Sequence, residues 1–124
     1  MSDFAAFGIR VEDVIMNRSE FDALLLENRL VVAYFWAGWE NGRKQNDEAF
    51  AMFARRVSKY TDNHAMFVRV NVDDNGSLTS RFGVASVPYV VVFLDGEQVA
   101  SFHASSDCRA MLASMNDCLC ASCA

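Results

Sequence analysis

The sequence predicts an α/β fold, with a central mixed β-sheet of four to five strands flanked by helices on both faces. Three observations point to it. Strand-like and helix-like hydrophobic periods alternate along the chain. The run Val31-Val32-Ala33-Tyr34-Phe35-Trp36 is apolar and β-rich, as in a strand buried on both sides. Asp95-Gly96 is a two-residue hairpin signal that supplies an antiparallel end. With 124 residues, 52% of them hydrophobic, there is material for one packed core and no room for a second. The expected organisation is an N-terminal segment, 1–8, a domain over 9–117 and a cysteine-rich tail over 118–124.

Taken in order, Ile9 to Met16 reads as a short edge strand. Ser19-Glu20-Phe21-Asp22 places an acid three residues after a serine, a capping-box start for a helix running to about Asn28. Val31 to Trp36 is the central strand. From Asn41 to about Tyr60 the apolar residues Phe50, Phe53, Val57 and Tyr60 recur at helical spacing, with Arg55, Arg56 and Lys59 turned to water. Met66 to Val72 alternates as a strand, and Ser77 to Phe82 is a short helix closed by Gly83, which suits a left-handed C-cap. Tyr89 to Leu94 and Gln98 to Phe102 form the hairpin. A last helix carries Cys108, Met111, Leu112, Met115, Cys118 and Leu119 on one stripe.

Charge and composition narrow the function classes. The formal net charge is −5 with pI about 4.8, so the chain lacks the electrostatic footprint of a nucleic-acid or anionic-lipid binder. No apolar stretch is long enough to span a bilayer. Met1-Ser2-Asp3 begins no signal peptide, and a cytoplasmic, reducing setting is expected. All four cysteines nevertheless fall in the last seventeen residues, an uneven placement.

Several segments together resemble the thioredoxin family: Ala33-Tyr34-Phe35-Trp36-Ala37-Gly38-Trp39, Lys44 at the opening of the long helix, Val70-Asn71-Val72-Asp73-Asp74-Asn75, Phe82 through Tyr89, and Phe93-Leu94-Asp95-Gly96. The resemblance covers roughly residues 9 to 117 and implies the thioredoxin fold. It also implies a redox motif, Trp-Cys-Gly-Pro-Cys-Lys, at positions that here read Trp39-Glu40-Asn41-Gly42-Arg43-Lys44. In the family the first thiolate attacks and the second thiol resolves the mixed disulfide, steps that neither a carboxylate nor a guanidinium performs. The family's buried acid, five residues before the motif tryptophan, corresponds to Tyr34.

The resemblance therefore implies a degenerate site at Glu40 and Arg43, with no catalytic residue there. Glu40, at a helix start, is expected to gain about 0.3–1 kcal/mol from the helix dipole. An ion pair with Arg43 at i+3 would add about 0.2–0.5 kcal/mol, the alternative being two solvated side chains without contact. The family's peptide groove maps onto Trp39, Val87, Pro88 and Ala104. If the Val87-Pro88 bond is cis, as the resemblance implies, Val87's backbone would face a bound chain for strand-like pairing. Ala104 replaces a usual glycine, and its methyl group would crowd close backbone approach. The alternative is that Pro88 serves the sheet and Trp39 merely covers the edge of the core.

In the tail, Cys118-Leu119-Cys120-Ala121-Ser122-Cys123 holds both a C-x-C and a C-x-x-C. Cys120 and Cys123 could form a relocated dithiol, or the tail thiolates could join Cys108 or His103 around zinc. Prenylation is excluded because Ala121, not cysteine, stands fourth from the end. Palmitoylation stays open. Cys108 and Cys118 on the apolar stripe read as small buried hydrophobes. His64 and His103 read as surface residues, and Asp73-Asp74-Asn75 as a helix-capping turn rather than a calcium loop.

The expectation is a redox-inactive thioredoxin-like protein acting as an adaptor or chaperone-like module through the groove, with a protein or peptide partner. No cofactor, metal, nucleic acid or membrane is expected, and the oligomeric state is left open. The alternatives are an atypical oxidoreductase using Cys120 and Cys123, or a metal-binding tail.

Overall fold

The computed structural model describes residues 9–62, 64–103, 110 and 113. Its elements are β1 (Glu12–Val14), α1 (Arg18–Glu27), β2 (Leu30–Trp36), α2 (Arg43–Tyr60), β3 (Ala65–Asn71), α3 (Gly76–Arg81), β4 (Tyr89–Leu94) and β5 (Glu97–His103). The strands form one five-stranded sheet in the order β1-β3-β2-β4-β5. β2 and β1 run parallel to β3, whereas β4 is antiparallel to both β2 and β5. The sheet is the mixed one expected. Of the expected final helix only residues 110 and 113 are described, both helical; Cys108 and Cys118 lie outside the described residues, as do Ala104, Cys120 and Cys123.

β2 is central, and its side chains alternate between two cores. Leu30, Val32 and Tyr34 join α2's Phe50, Phe53, Ala54 and Val57 on one face. Val31, Ala33 and Phe35 join Phe21 and Leu25 of α1 and Leu78 of α3 on the other. One long helix thus covers one face and two shorter helices the other. Tyr60 departs from the expected stripe: it is 88% exposed, because it occupies the last turn of α2, beyond Val57, the last helix side chain in the core.

Two element starts differ from the sequence reading. α1 is capped by Asn17 rather than Ser19: Glu20 N–H donates to Asn17 Oδ1 at 2.9 Å, and Asn17 N–H donates to Glu20 Oε1 at 3.1 Å. This is a reciprocal capping box two residues earlier, built with a longer N3 side chain. Asp22, the expected partner of Ser19, instead accepts an ion pair from Arg81 at 2.8 Å. β1 is only three residues long, because Asn75 takes over the backbone where the ladder would continue. Its Nδ2 donates to Val14 C=O at 3.1 Å and to Asn71 C=O at 3.0 Å, while its Oδ1 accepts from Met16 N–H at 2.9 Å. Asn75 is the N-cap of α3 by position, but its side chain makes no capping bond; it ties β1 to the end of β3.

The hairpin forms as expected. Asp95 and Gly96 both take positive φ, 52° and 83°, between the paired residues Leu94 and Glu97, which is the two-residue turn suited to sheet twist. Gly83, φ 62°, follows the C-cap of α3.

Candidate functional site

The C-terminal ends of the parallel strands β2 and β3 and the start of antiparallel β4 lie at one end of the sheet, since Phe35 pairs with both Val70 and Tyr89. The turn Ala37–Gly42 leaves β2 at this end, and residues Ser86, Val87 and Pro88 lead into β4 there. The Val87-Pro88 peptide is cis. Trp39 projects from the turn with 68% of its surface exposed, its indole N–H donating to Asp73 Oδ2 at 3.0 Å. That bond fastens the ring to the segment after β3. Among the described residues, no hydrogen bond is made to the backbone of Val87.

The turn itself is held by Glu40. Its side chain folds back into the protein, 9% exposed, where Oε1 accepts from Ala37 N–H at 3.0 Å and Oε2 from Asn46 Nδ2 at 3.1 Å. Glu40 N–H in turn donates to Ala37 C=O at 3.2 Å. One carboxylate therefore bridges the end of β2 and the first turns of α2. The expected ion pair with Arg43 does not form: both Glu40 oxygens are engaged elsewhere, and the Arg43 guanidinium stands 5.6 Å from the Trp36 ring centroid. The expected dipole contact is also displaced, because α2 starts at Arg43 after a left-handed Gly42, leaving Glu40 outside the helix and bonded to the backbone of Ala37, just past β2.

Beneath the turn lies a polar cluster that periodicity does not reveal. Tyr34 is fully buried; its ring stacks on Phe50 at 4.3 Å, and its hydroxyl donates to Asp47 Oδ1 at 3.0 Å. Burial, reinforced by the carboxylates of Asp47 and Glu40, holds the Tyr34 phenol far above its ordinary pKa, so it remains a hydrogen-bond donor. Burial also raises the Asp47 carboxyl above its usual range, against the opposing pull of the Tyr34 hydrogen bond and the Arg69 charge. Arg69, itself buried on β3, lies 4.1 Å from the Trp36 centroid and 3.4 Å from Asp13 Oδ1. Asp47 sits one turn before Phe50 on the buried stripe of α2, so a polar residue in an apolar helical register was the available signal. Its partner across the sheet could not be read from spacing.

His103, expected to be an isolated surface residue, is exposed, yet the β4–β5 register sets it opposite Tyr89. Its ring meets Tyr89 edge-on at 5.1 Å, and Nδ1 lies 3.3 Å from Ser86 Oγ, in the loop before Pro88. His64 is exposed. Among the described residues, no group of three metal-ligating side chains exists, and no helix is long and apolar enough to cross a membrane.

This end of the sheet offers hydrogen-bonding backbone and an aromatic platform. Its turn holds no sulfur nucleophile, since cysteine occurs only at 108, 118, 120 and 123. Comparison with known proteins places the whole arrangement. The thioredoxin family model matches residues 12–117. A thioredoxin from Mycoplasmoides gallisepticum is 34% identical over 83 residues, 67% of this chain and 78% of that protein. Monothiol glutaredoxin-S17 of Arabidopsis thaliana is 34% identical over 89 residues, 72% of this chain but 17% of its own length. The chain thus spans about a sixth of the length of the monothiol glutaredoxins it matches. A mutant thioredoxin from Halobacterium salinarum NRC-1 superposes with TM-score 0.69 at 27% identity, covering 87% of this chain and 89% of that one. Mitochondrial thioredoxin 3 of Saccharomyces cerevisiae has the same fold, with TM-score 0.73 at 20% identity over 94% of this chain and 99% of that one. On the family match and the mycoplasmal relative together, the chain belongs to the thioredoxin family.

Proposed function

We propose that this chain is a binding member of its family: a redox-inactive adaptor or chaperone-like module that holds an extended segment of a protein partner between Trp39 and the Ser86-Val87-Pro88 loop. The observation that carries the reading is the β2–α2 turn, where Glu40, a buried hydrogen-bond anchor, and Arg43, stacked near Trp36, occupy the positions that the family resemblance assigns to thiols. A carboxylate locked to two donors offers no nucleophilic sulfur for exchange. Beside that turn, the exposed indole of Trp39 and the backbone of Val87 supply an apolar platform and strand-pairing groups, which recognise a peptide with little regard for its side chains.

The test combines chemistry and binding. Insulin reduction in the presence of dithiothreitol should not exceed background, and binding to an array of extended peptides should fall at least about tenfold in Trp39→Ala. Activity above background overturns the redox-inactive reading. Array binding indifferent to Trp39→Ala overturns the groove.

A second reading draws on the relatives, which carry the names thioredoxin and monothiol glutaredoxin. Thiol chemistry in this chain would have to use the tail, with Cys120 and Cys123 as the pair. Insulin reduction that disappears in Cys120→Ser/Cys123→Ser would establish it. Stoichiometric zinc in native mass spectrometry would instead assign the tail to metal.

A further inference from the structure

At the end of the sheet opposite Trp39, where β3 begins and α2 finishes, lies an open cleft of about 600 Å³. Its size is that of a small-ligand or peptide-anchor site. Four of the chain's 11 Lys and Arg residues line it: Arg10 ahead of β1, and Arg55, Arg56 and Lys59 on the last turns of α2. No Asp or Glu is among the described residues lining it. Arg10 is paired with Glu12 at 2.6 Å, but Arg55, Arg56 and Lys59 form no ion pair with a described residue. All three are exposed.

This concentration runs against the balance of the chain as a whole, whose net charge is −5. Arg55 and Lys59 stand at i,i+4, where like charges destabilise a helix by about 0.2–0.5 kcal/mol. The helix C-terminus accounts for Lys59 through the macrodipole, but not for two arginines a turn earlier together with Arg10. The cleft also presents flexible apolar surface, with Met52 47% exposed and Met66 half-buried. Unbranched thioether side chains adapt to varied apolar groups.

We propose that this cleft is a second docking site, and that its occupant is an acidic protein segment whose carboxylates meet Arg55, Arg56 and Lys59 while an apolar side chain packs on Met52 and Met66. Charge complementarity selects the acidic partner. The methionines favour a peptide over a polyphosphate, whose backbone brings no apolar group to pack on them. The site is separate from the groove at Trp39, so the chain would bridge two segments at its two ends.

The experiment measures fluorescence anisotropy of a short labelled peptide in which Glu and Leu alternate, titrated with the full chain at low and physiological salt. The probes for comparison are the same peptide with Gln in place of Glu and a single-stranded oligonucleotide. Support consists of binding to the acidic peptide that is at least about tenfold weaker for the Gln peptide and in Arg55→Glu/Arg56→Glu, weakens with salt, and is unchanged in Trp39→Ala. Three results overturn the proposal: equal binding of the Gln peptide, tighter binding of the oligonucleotide, or indifference to the double charge reversal. Loss of peptide binding in Trp39→Ala would do so too, by placing the peptide in the other groove. A change in the sedimentation of the chain alone on charge reversal would assign the cleft to a second copy, again against it.

Discussion

Removing the Glu40 carboxylate tests whether one buried side chain organises the β2–α2 turn. In Glu40→Ala, Ala37 N–H, on a residue with no exposed surface, loses its acceptor, at a cost of about 1–3 kcal/mol for an unsatisfied buried donor. Asn46 Nδ2 suffers less, because it is partly exposed and also reaches Asn41 C=O at 3.3 Å, so that loss is about 0.5 kcal/mol. The expected destabilisation is about 2–3 kcal/mol in urea unfolding, or a fall in Tm of roughly 6–15 °C for a domain of this size. Glu40→Gln keeps an oxygen for Ala37 N–H but sets an amide against the Asn46 amide, and should cost about 1 kcal/mol. Double-mutant cycles then separate the two pictures of the turn. Glu40→Gln with Asn46→Ala should show coupling of about 0.5–1 kcal/mol, whereas Glu40→Gln with Arg43→Gln should add within about 0.3 kcal/mol. Coupling above about 0.5 kcal/mol to Arg43, or a Glu40→Ala cost below about 0.5 kcal/mol, would refute the reasoning.

The polar cluster and the strand tie make further predictions. Tyr34→Phe keeps the stack on Phe50 but removes the donor to Asp47, and chemical denaturation should show a loss of about 1 kcal/mol. Because burial raises the Asp47 pKa, the native state binds more protons than the unfolded chain between the ordinary value of 3.8 and the raised one. Its stabilising contribution is therefore full below 3.8 and is lost as pH rises through the raised value. Asp47→Asn, which still accepts from Tyr34, should remove that slope and raise stability at neutral pH by less than about 1 kcal/mol, since the half-exposed group is screened. Stability measured against pH with an unchanged slope would count against this account. Asn75→Ala deletes three hydrogen bonds at a residue only 3% exposed, and should cost about 3 kcal/mol while exposing the Met16 amide to rapid hydrogen exchange.

Much of the fold is legible in one dimension because its signals are local. A seven-residue strand buried at every position but the last must be flanked on both faces, and Val31 to Trp36 announces this by being apolar throughout. Phe50, Phe53 and Val57 mark the face of α2 by spacing alone, and Asp95-Gly96 selects its turn by the positive φ both residues tolerate. The absence of thiols from the β2–α2 turn is likewise a fact of sequence. Trp39, Val87 and Pro88 stand out in the sequence through the family resemblance, and the sheet order brings them to one end.

Tertiary structure decided the partnerships. Spacing set Glu40 and Arg43 one turn apart and invited an ion pair, yet the buried N–H of Ala37 takes the carboxylate, because an unsatisfied amide costs more than an exposed pair gains. Tyr34 and Asp47, thirteen residues apart, meet only because α2 packs back across β2. Asn75 shortens β1 from a distance of 59 residues in the chain. The cationic cleft likewise gathers Arg10 and Lys59 only once the chain entering β1 and the end of α2 meet at the same edge. Hydrophobic period is a property of neighbours along the chain and so the sequence carries it by itself; hydrogen bonds and charge clusters depend on which distant groups burial leaves in need of a partner.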